Sequence, residues 1–68
     1  MDKYKVAIVD DDEVALENLS FELGKDARFS LKGTARNGKQ GKKLIAKVQP
    51  DLLFLDVEIP DMTGMELL

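Results

Sequence analysis

The residues able to do chemistry in this sequence are aspartates placed at the ends of apolar runs. Asp10, Asp11 and Asp12 follow Val6-Ala7-Ile8-Val9, and Asp56 follows Leu52-Leu53-Phe54-Leu55. If the two runs lie side by side, three or four carboxylates converge at one edge, and the chain has no histidine to share the site with them. A site made only of carboxylate oxygens suits a hard cation. Mg2+ takes near-octahedral oxygen ligation, keeps several waters and is typically held by one or two carboxylates together with phosphate oxygens. The Asp10-Asp11 pair and Asp56 match that need. Once the local charge is neutralised, a carboxylate can attack phosphorus, and carboxylates that form aspartyl phosphates are an established class of nucleophile. Phosphoryl transfer asks the protein chiefly for positioning and charge neutralisation.

Aspartates after strands also serve as helix N-caps and turn residues. Asp12, Asp51 and Asp61 are read in that way. For Asp10, Asp11 and Asp56 together that reading is poor: three acids gathered at one edge cost stability without chemical return. No lysine or arginine adjoins them in sequence to make them ion pairs.

The elements that must position these acids follow from periodicity and punctuation. Runs that are apolar at every position suit strands covered on both faces, as in parallel sheets. Glu13 to Leu23 reads as a helix, with Leu16, Leu19 and Leu23 on one face, Asp11 or Asp12 as its N-cap and Gly24 as its stop. Phe29 to Ala35 is a second strand, weakened by Gly33. Asn37-Gly38 turns the chain, and Lys39 to Val48 is a second helix with Gly41, Leu44, Ile45 and Val48 as its core face, ended by Gln49-Pro50. The strand to Leu55, a loop from Val57 to Thr63 and a helix opening at Gly64 complete the order. Strands alternating with helices imply right-handed crossovers and an α/β fold with a parallel sheet. Ligands of such open sheets gather at the carboxyl ends of the strands, where these acids stand.

Sixty-eight residues, 44% hydrophobic and 34% charged with a net charge of -3, allow one domain with a thin core. A chain of this size buries only about 60% of the surface its unfolded form exposes. No apolar stretch approaches the ~20 residues of a membrane span. The absence of cysteine removes disulfides and thiolate metal sites. The start, Met1 to Lys5, lacks the pattern of a secretory signal, so the expected location is the cytoplasm. Arg36, Lys39, Lys42, Lys43 and Lys47 hold half of the 10 basic residues. In a chain with a pI near 4.8 they read as a solvated helix face rather than a nucleic-acid contact. The final residues open a helix and supply no stop, so the chain reads as a piece of something longer.

Val6-Ala-Ile-Val-Asp10-Asp11-Asp12-Glu13, Asn37-Gly38 and Pro50-Asp-Leu-Leu-Phe-Leu-Asp56-Val-Glu-Ile-Pro60-Asp-Met-Thr-Gly64-Met-Glu-Leu resemble the first half of a bacterial response-regulator receiver domain. The resemblance covers the whole chain, so residues 1–68 are expected to form one partial receiver domain. It implies a flavodoxin-like, doubly wound parallel sheet of order 2-1-3, truncated after the third strand. It also implies Asp56 as phosphoacceptor, Asp11 as a direct Mg2+ ligand, Asp10 as a ligand through water and Glu58 as a ligand through its main-chain carbonyl. Pro60 and Gly64 would shape the loop beside the acceptor. A complete receiver continues through two more strands bearing a hydroxyl residue and a lysine that touch the phosphoryl group, and neither is assigned within a sequence ending at Leu68. The implied partners are a sensor histidine kinase and an output domain outside this chain. The wording around Asp56 is similar to that of regulators with a LytTR-type DNA-binding output.

Two other readings of the acids remain. Ala7 to Val14 also resembles the nucleophile strand of haloacid-dehalogenase-type phosphatases, with Asp10 attacking and Asp12 as acid/base, but this leaves Asp56 to Gly64 unexplained. The acids of a binding module without chemistry would only hold a cation. The receiver reading makes the chain a signalling module, not an enzyme, with no direct nucleic-acid or membrane contact. It also leaves the strand Leu52 to Leu55 with a bare edge, so a dimer or larger assembly of the chain is expected.

Overall fold

The fold is built outward from β1, Tyr4–Val9. Val6, Ala7, Ile8 and Val9 are at most 1% exposed, the mark of a strand covered on both faces and flanked on both edges. The computed structural model describes residues 3–56, 58–59 and 62–63. Within them β1 leads to α1 (Glu13–Gly24), β2 (Phe29–Ala35), α2 (Gly38–Val48) and β3 (Leu52–Leu55), followed by the short strands β4 (Glu58–Ile59) and β5 (Met62–Thr63). β1 pairs in parallel with β2 on one side and with β3 on the other, giving the order β2-β1-β3. The expected α/β class and 2-1-3 order are thus observed.

Strand alternation divides the core in two. Val6 and Ile8 meet Leu16 and Leu23 of α1, with Leu19, Phe29, Leu31 and Phe54 packed around them. Val9 and Ala35 meet Leu44 of α2 together with Leu53 and Leu55. The two helices therefore lie on opposite faces of the sheet.

Both helices begin where a side chain satisfies an orphan N–H. Asp12 caps α1 by accepting from the Val14 N–H, and Asn37 caps α2 by accepting from the Gln40 N–H at 2.8 Å. α2 ends at Val48 as expected, whereas the end of α1 departs from expectation. Gly24 is not the stop of α1. It is the last helical residue, no described glycine takes positive φ, and the cap is Lys25 in ordinary right-handed geometry. A tightened last turn, Lys25 N–H to the Glu22 carbonyl at 3.2 Å, and Asp26, whose Oδ1 accepts the Arg28 N–H, redirect the chain instead. The left-handed cap sits at Gln49, φ 50°, whose N–H reaches the Ile45 carbonyl at 2.8 Å. Pro50 prevents the helix from running on, because proline disfavours right-handed helical geometry in the residue before it.

The weakness expected at Gly33 is a bulge. Val6 pairs with Leu31 and Ala7 with Gly33, so Lys32 is the extra residue on β2. The stretch expected as a loop from Val57 to Thr63 contains an antiparallel pair instead, with Glu58 opposite Thr63 and Ile59 opposite Met62. The helix expected from Gly64 lies outside the described residues.

Candidate functional site

The site is made by register. Val9 pairs with Leu55, so the residues that follow, Asp10 and Asp56, emerge side by side at the carboxyl edge of the sheet. Backbone hydrogen bonds fix both. The Asp56 N–H donates to the Val9 carbonyl at 2.9 Å, and the Asp10 N–H donates to the Ala35 carbonyl at 3.0 Å. These bonds continue the sheet ladder one residue past each strand, so the carboxylates stand on rigid backbone at the point where pairing ends.

Asp10, Asp11 and Asp56 each present a carboxylate oxygen within 4.8 Å of the others. Ligands of one octahedral cation at ~2.1 Å stand about 3 to 4.2 Å apart. The closeness of the cluster lets the three carboxylates share one hard cation, with water completing its coordination. Asp10 and Asp56 are half-buried and Asp11 is exposed, which leaves the site open to solvent on one side. Asp10 is further oriented by the Asp12 N–H, which donates to its Oδ1 at 3.0 Å.

Asp12 is absent from the cluster because its own Oδ1 is engaged by the Val14 N–H at 2.9 Å. The turn role expected of Asp51 proves more specific. Its N–H donates to the Lys5 carbonyl at 2.8 Å while its Oδ2 accepts the Lys5 N–H at 2.8 Å, clamping the start of β3 to β1. Glu58 lies in β4, the strand that follows Asp56. The roles expected of Pro60, Asp61 and Gly64 fall outside the described residues.

Beside the acids is an open notch of about 240 Å³, walled by Ile8, Leu19 and Phe54 and bounded by Asp10 and Asp56. Sequence reasoning placed Leu19 in the core but did not associate it or Phe54 with the site. The available signal was their adjacency to the acids: Phe54 precedes Asp56 by two, and Leu19 lies on the core face of the helix that Asp12 starts. Among the described residues, no helix is long and apolar enough to cross a membrane.

Comparison with known proteins agrees with this geometry. The family described as the response regulator receiver domain matches residues 6–68. The chain is 41% identical over 68 residues to a protein-glutamate methylesterase/protein-glutamine glutaminase of Geobacillus kaustophilus, covering 100% of this chain and 20% of that protein. It is 38% identical over 63 residues to the transcriptional regulatory protein BtsR of Escherichia coli, covering 93% of this chain and 26% of that protein. Among solved structures, the signal receiver domain of a NarL response regulator from Mycobacterium tuberculosis superposes with a TM-score of 0.93 at 27% identity, over 98% of this chain and 54% of that one. The response regulator domain of Thermotoga maritima CheB gives 0.91 at 23% identity, over 97% and 49%. The chain thus spans about a quarter or less of these curated relatives and about half of these solved chains.

Proposed function

The chain belongs to the response regulator receiver family, and from that premise we propose that it is the phosphoacceptor part of a two-component regulator, taking a phosphoryl group onto Asp56 from a sensor histidine kinase. The observation that supports this most directly is the meeting of Asp10, Asp11 and Asp56 at the ends of in-register strands. Asp56 is the acceptor: one carboxylate oxygen forms the new O–P bond as the donor's P–N bond breaks, and the imidazole leaves with the electron pair. Asp11 would hold Mg2+ directly and Asp10 through water, and the Glu58 main-chain carbonyl would supply a further oxygen. Bound Mg2+ would neutralise charge on the carboxylates and on the incoming phosphoryl oxygens.

The chain's own contribution is placement. β1 and β3 hold the acids through their backbone bonds, and the apolar wall of Ile8, Leu19 and Phe54 lowers the local dielectric on one side. Residues 1–68 act as one part of a receiver, in the cytoplasm, where a kinase and its phosphodonor are available. The dianionic charge gained at Asp56 controls an output domain outside this chain, with a DNA-binding domain favoured by the wording around Asp56. The open edge of β3 is the proposed place for self-pairing of the chain.

The phosphatase reading is not favoured. The family match runs through Asp56-Val57-Glu58-Ile59-Pro60, which a nucleophile at Asp10 leaves without a role. The test is to treat the protein with acetyl phosphate and Mg2+ and locate the adduct by mass spectrometry. One phosphoryl group on Asp56, lost in Asp56→Asn, is the expected result. Labelling that maps to Asp10, or that survives in Asp56→Asn, overturns the assignment.

A further inference from the structure

The two helices carry opposite charge on opposite faces of the molecule. α1 has Glu13, Glu17 and Glu22 and no basic residue, and α2 has Lys39, Lys42, Lys43 and Lys47 and no acid. All these side chains are exposed. Because α1 packs on the Val6/Ile8 face and α2 on the Val9 face, neither surface can meet the other within one molecule. A second copy can bring them together.

α1 also exposes an apolar stripe. Val14 is 62% exposed and Phe21 is 65% exposed, seven residues apart and therefore on nearly the same side of the helix. The chain already shows what such a surface accepts. Lys25 Nζ sits 4.3 Å from the centre of the Phe21 ring while pairing with Glu22 Oε1 at 3.6 Å, so one ammonium meets an aromatic ring and a carboxylate together. The α2 face offers more lysines of the same kind. Lys43 and Lys47 are four residues apart, as are Glu13 and Glu17, and four residues span about 6 Å of helix. The two rows therefore match in pitch.

We propose that the α2 face of one copy docks on the α1 face of a second copy, lysine stems over Val14 and Phe21 and ammoniums beside Glu13 and Glu17. The contact is heterologous, so each copy keeps one free face of each kind and the arrangement extends head to tail. A nucleic acid is the weaker occupant, since the chain carries a net charge of -3 and would on balance repel a polyanion. With helices of 12 and 11 residues the contact area is small, so association is weak and depends on salt.

Sedimentation velocity of the full chain tests this. A salt-sensitive association is expected at low ionic strength and is expected to vanish near ~0.5 M salt, where screening reaches within a few Å, leaving only pairing through the β3 edge. Lys43→Glu/Lys47→Glu and Glu13→Lys/Glu17→Lys should each weaken self-association about tenfold or more, and an equimolar mixture of the two should restore it, because each then supplies the face the other has lost. Circular dichroism confirms folding, and Lys43→Gln/Lys47→Gln gives the same reading if a reversed variant does not fold. A chain that stays monomeric at low salt, association unchanged by both reversals, or no recovery in the mixture overturns the proposal. Binding of duplex DNA by the unaltered chain that is lost in Lys43→Glu/Lys47→Glu also overturns it, in favour of a nucleic-acid contact.

Discussion

Asp12 commits its carboxylate to the Val14 N–H, whereas its neighbour Asp11 turns a carboxylate oxygen toward Asp10 and Asp56. The two residues should therefore fail differently. Asp11→Ala is expected to weaken Mg2+ binding while leaving stability nearly unchanged. Asp12→Ala is expected to cost about 1 kcal/mol of stability through the lost cap while retaining Mg2+ binding. Metal titration and denaturant unfolding of both variants check this, and a larger loss of metal at Asp12 would place the pair one residue later. A second prediction concerns the Asp26-Ala27-Arg28 turn. Arg28 donates to both Asp26 oxygens, the Nη2 bond being 2.6 Å, and the Arg28 N–H adds another. Side-chain and then backbone hydrogen bonds from Arg28 hold the Asp26 carboxyl down from 3.8 to about 2. A carboxyl lowered on folding adds stability above its unfolded value, and that contribution is lost as pH falls from 3.8 toward about 2. NMR titration of the Asp26 carboxyl should show this, and Arg28→Ala should return it to the ordinary range. At this scale the sequence made Asp10, Asp11 and Asp56 legible because each follows an uninterrupted apolar run. It did not make the reciprocal Lys5–Asp51 clamp legible, since that depends on two residues 46 apart meeting across the sheet.

Element boundaries were read most securely where a side chain marks them. Asp12 starts α1 as a capping residue should, Asn37, expected as a turn residue, caps α2 one residue ahead of the expected start at Lys39, and Pro50 forces the exit from α2. Gly24 misled because glycine is a common left-handed stop, yet here Asp26 and Arg28 already redirect the chain and leave Gly24 within the last turn. Gly33 has a packing reason that no single-sequence pattern displays. A Cβ there would stand 2.6 Å from Leu44 Cδ1, so Leu44 keeps its present place over β2 because that side chain is missing. The obstructing atom is the end of a flexible side chain, so Gly33→Ala is expected to destabilise by no more than about 1 kcal/mol, at the low end of the cost of overpacking. Leu44→Ala should remove the conflict, and Gly33→Ala in that background should be neutral or stabilising. A double-mutant cycle from urea unfolding measures this coupling.

For the molecule as a whole, the parallel order could be read from alternation of strands and helices, while the β4–β5 pair could not, because two-residue strands are too short to show a period. Among the described residues β3 is the exposed margin of the main sheet: Leu52 is 38% exposed, and Leu53, Phe54 and Leu55 are only half-buried. An apolar sheet edge templates pairing with another chain. The chain is expected to show a concentration-dependent species that persists at high salt, in contrast to docking between charged helices. Leu52→Lys should suppress it, as edge lysines do, and sedimentation at high salt decides the matter. The central position of β1 has a further consequence, which lies in time. Every pairing in the main sheet is distant in sequence, the nearest being Tyr4 with Phe29 and the farther set beginning at Val6 with Leu52. No hairpin can start this sheet. During synthesis at roughly 5 to 20 residues per second, β1 emerges first and waits several seconds for β3, with its most apolar residues lacking their second neighbour. The strand made earliest is the last to be enclosed, and the interval before Leu52 arrives is when a nascent chain of this design most needs a chaperone.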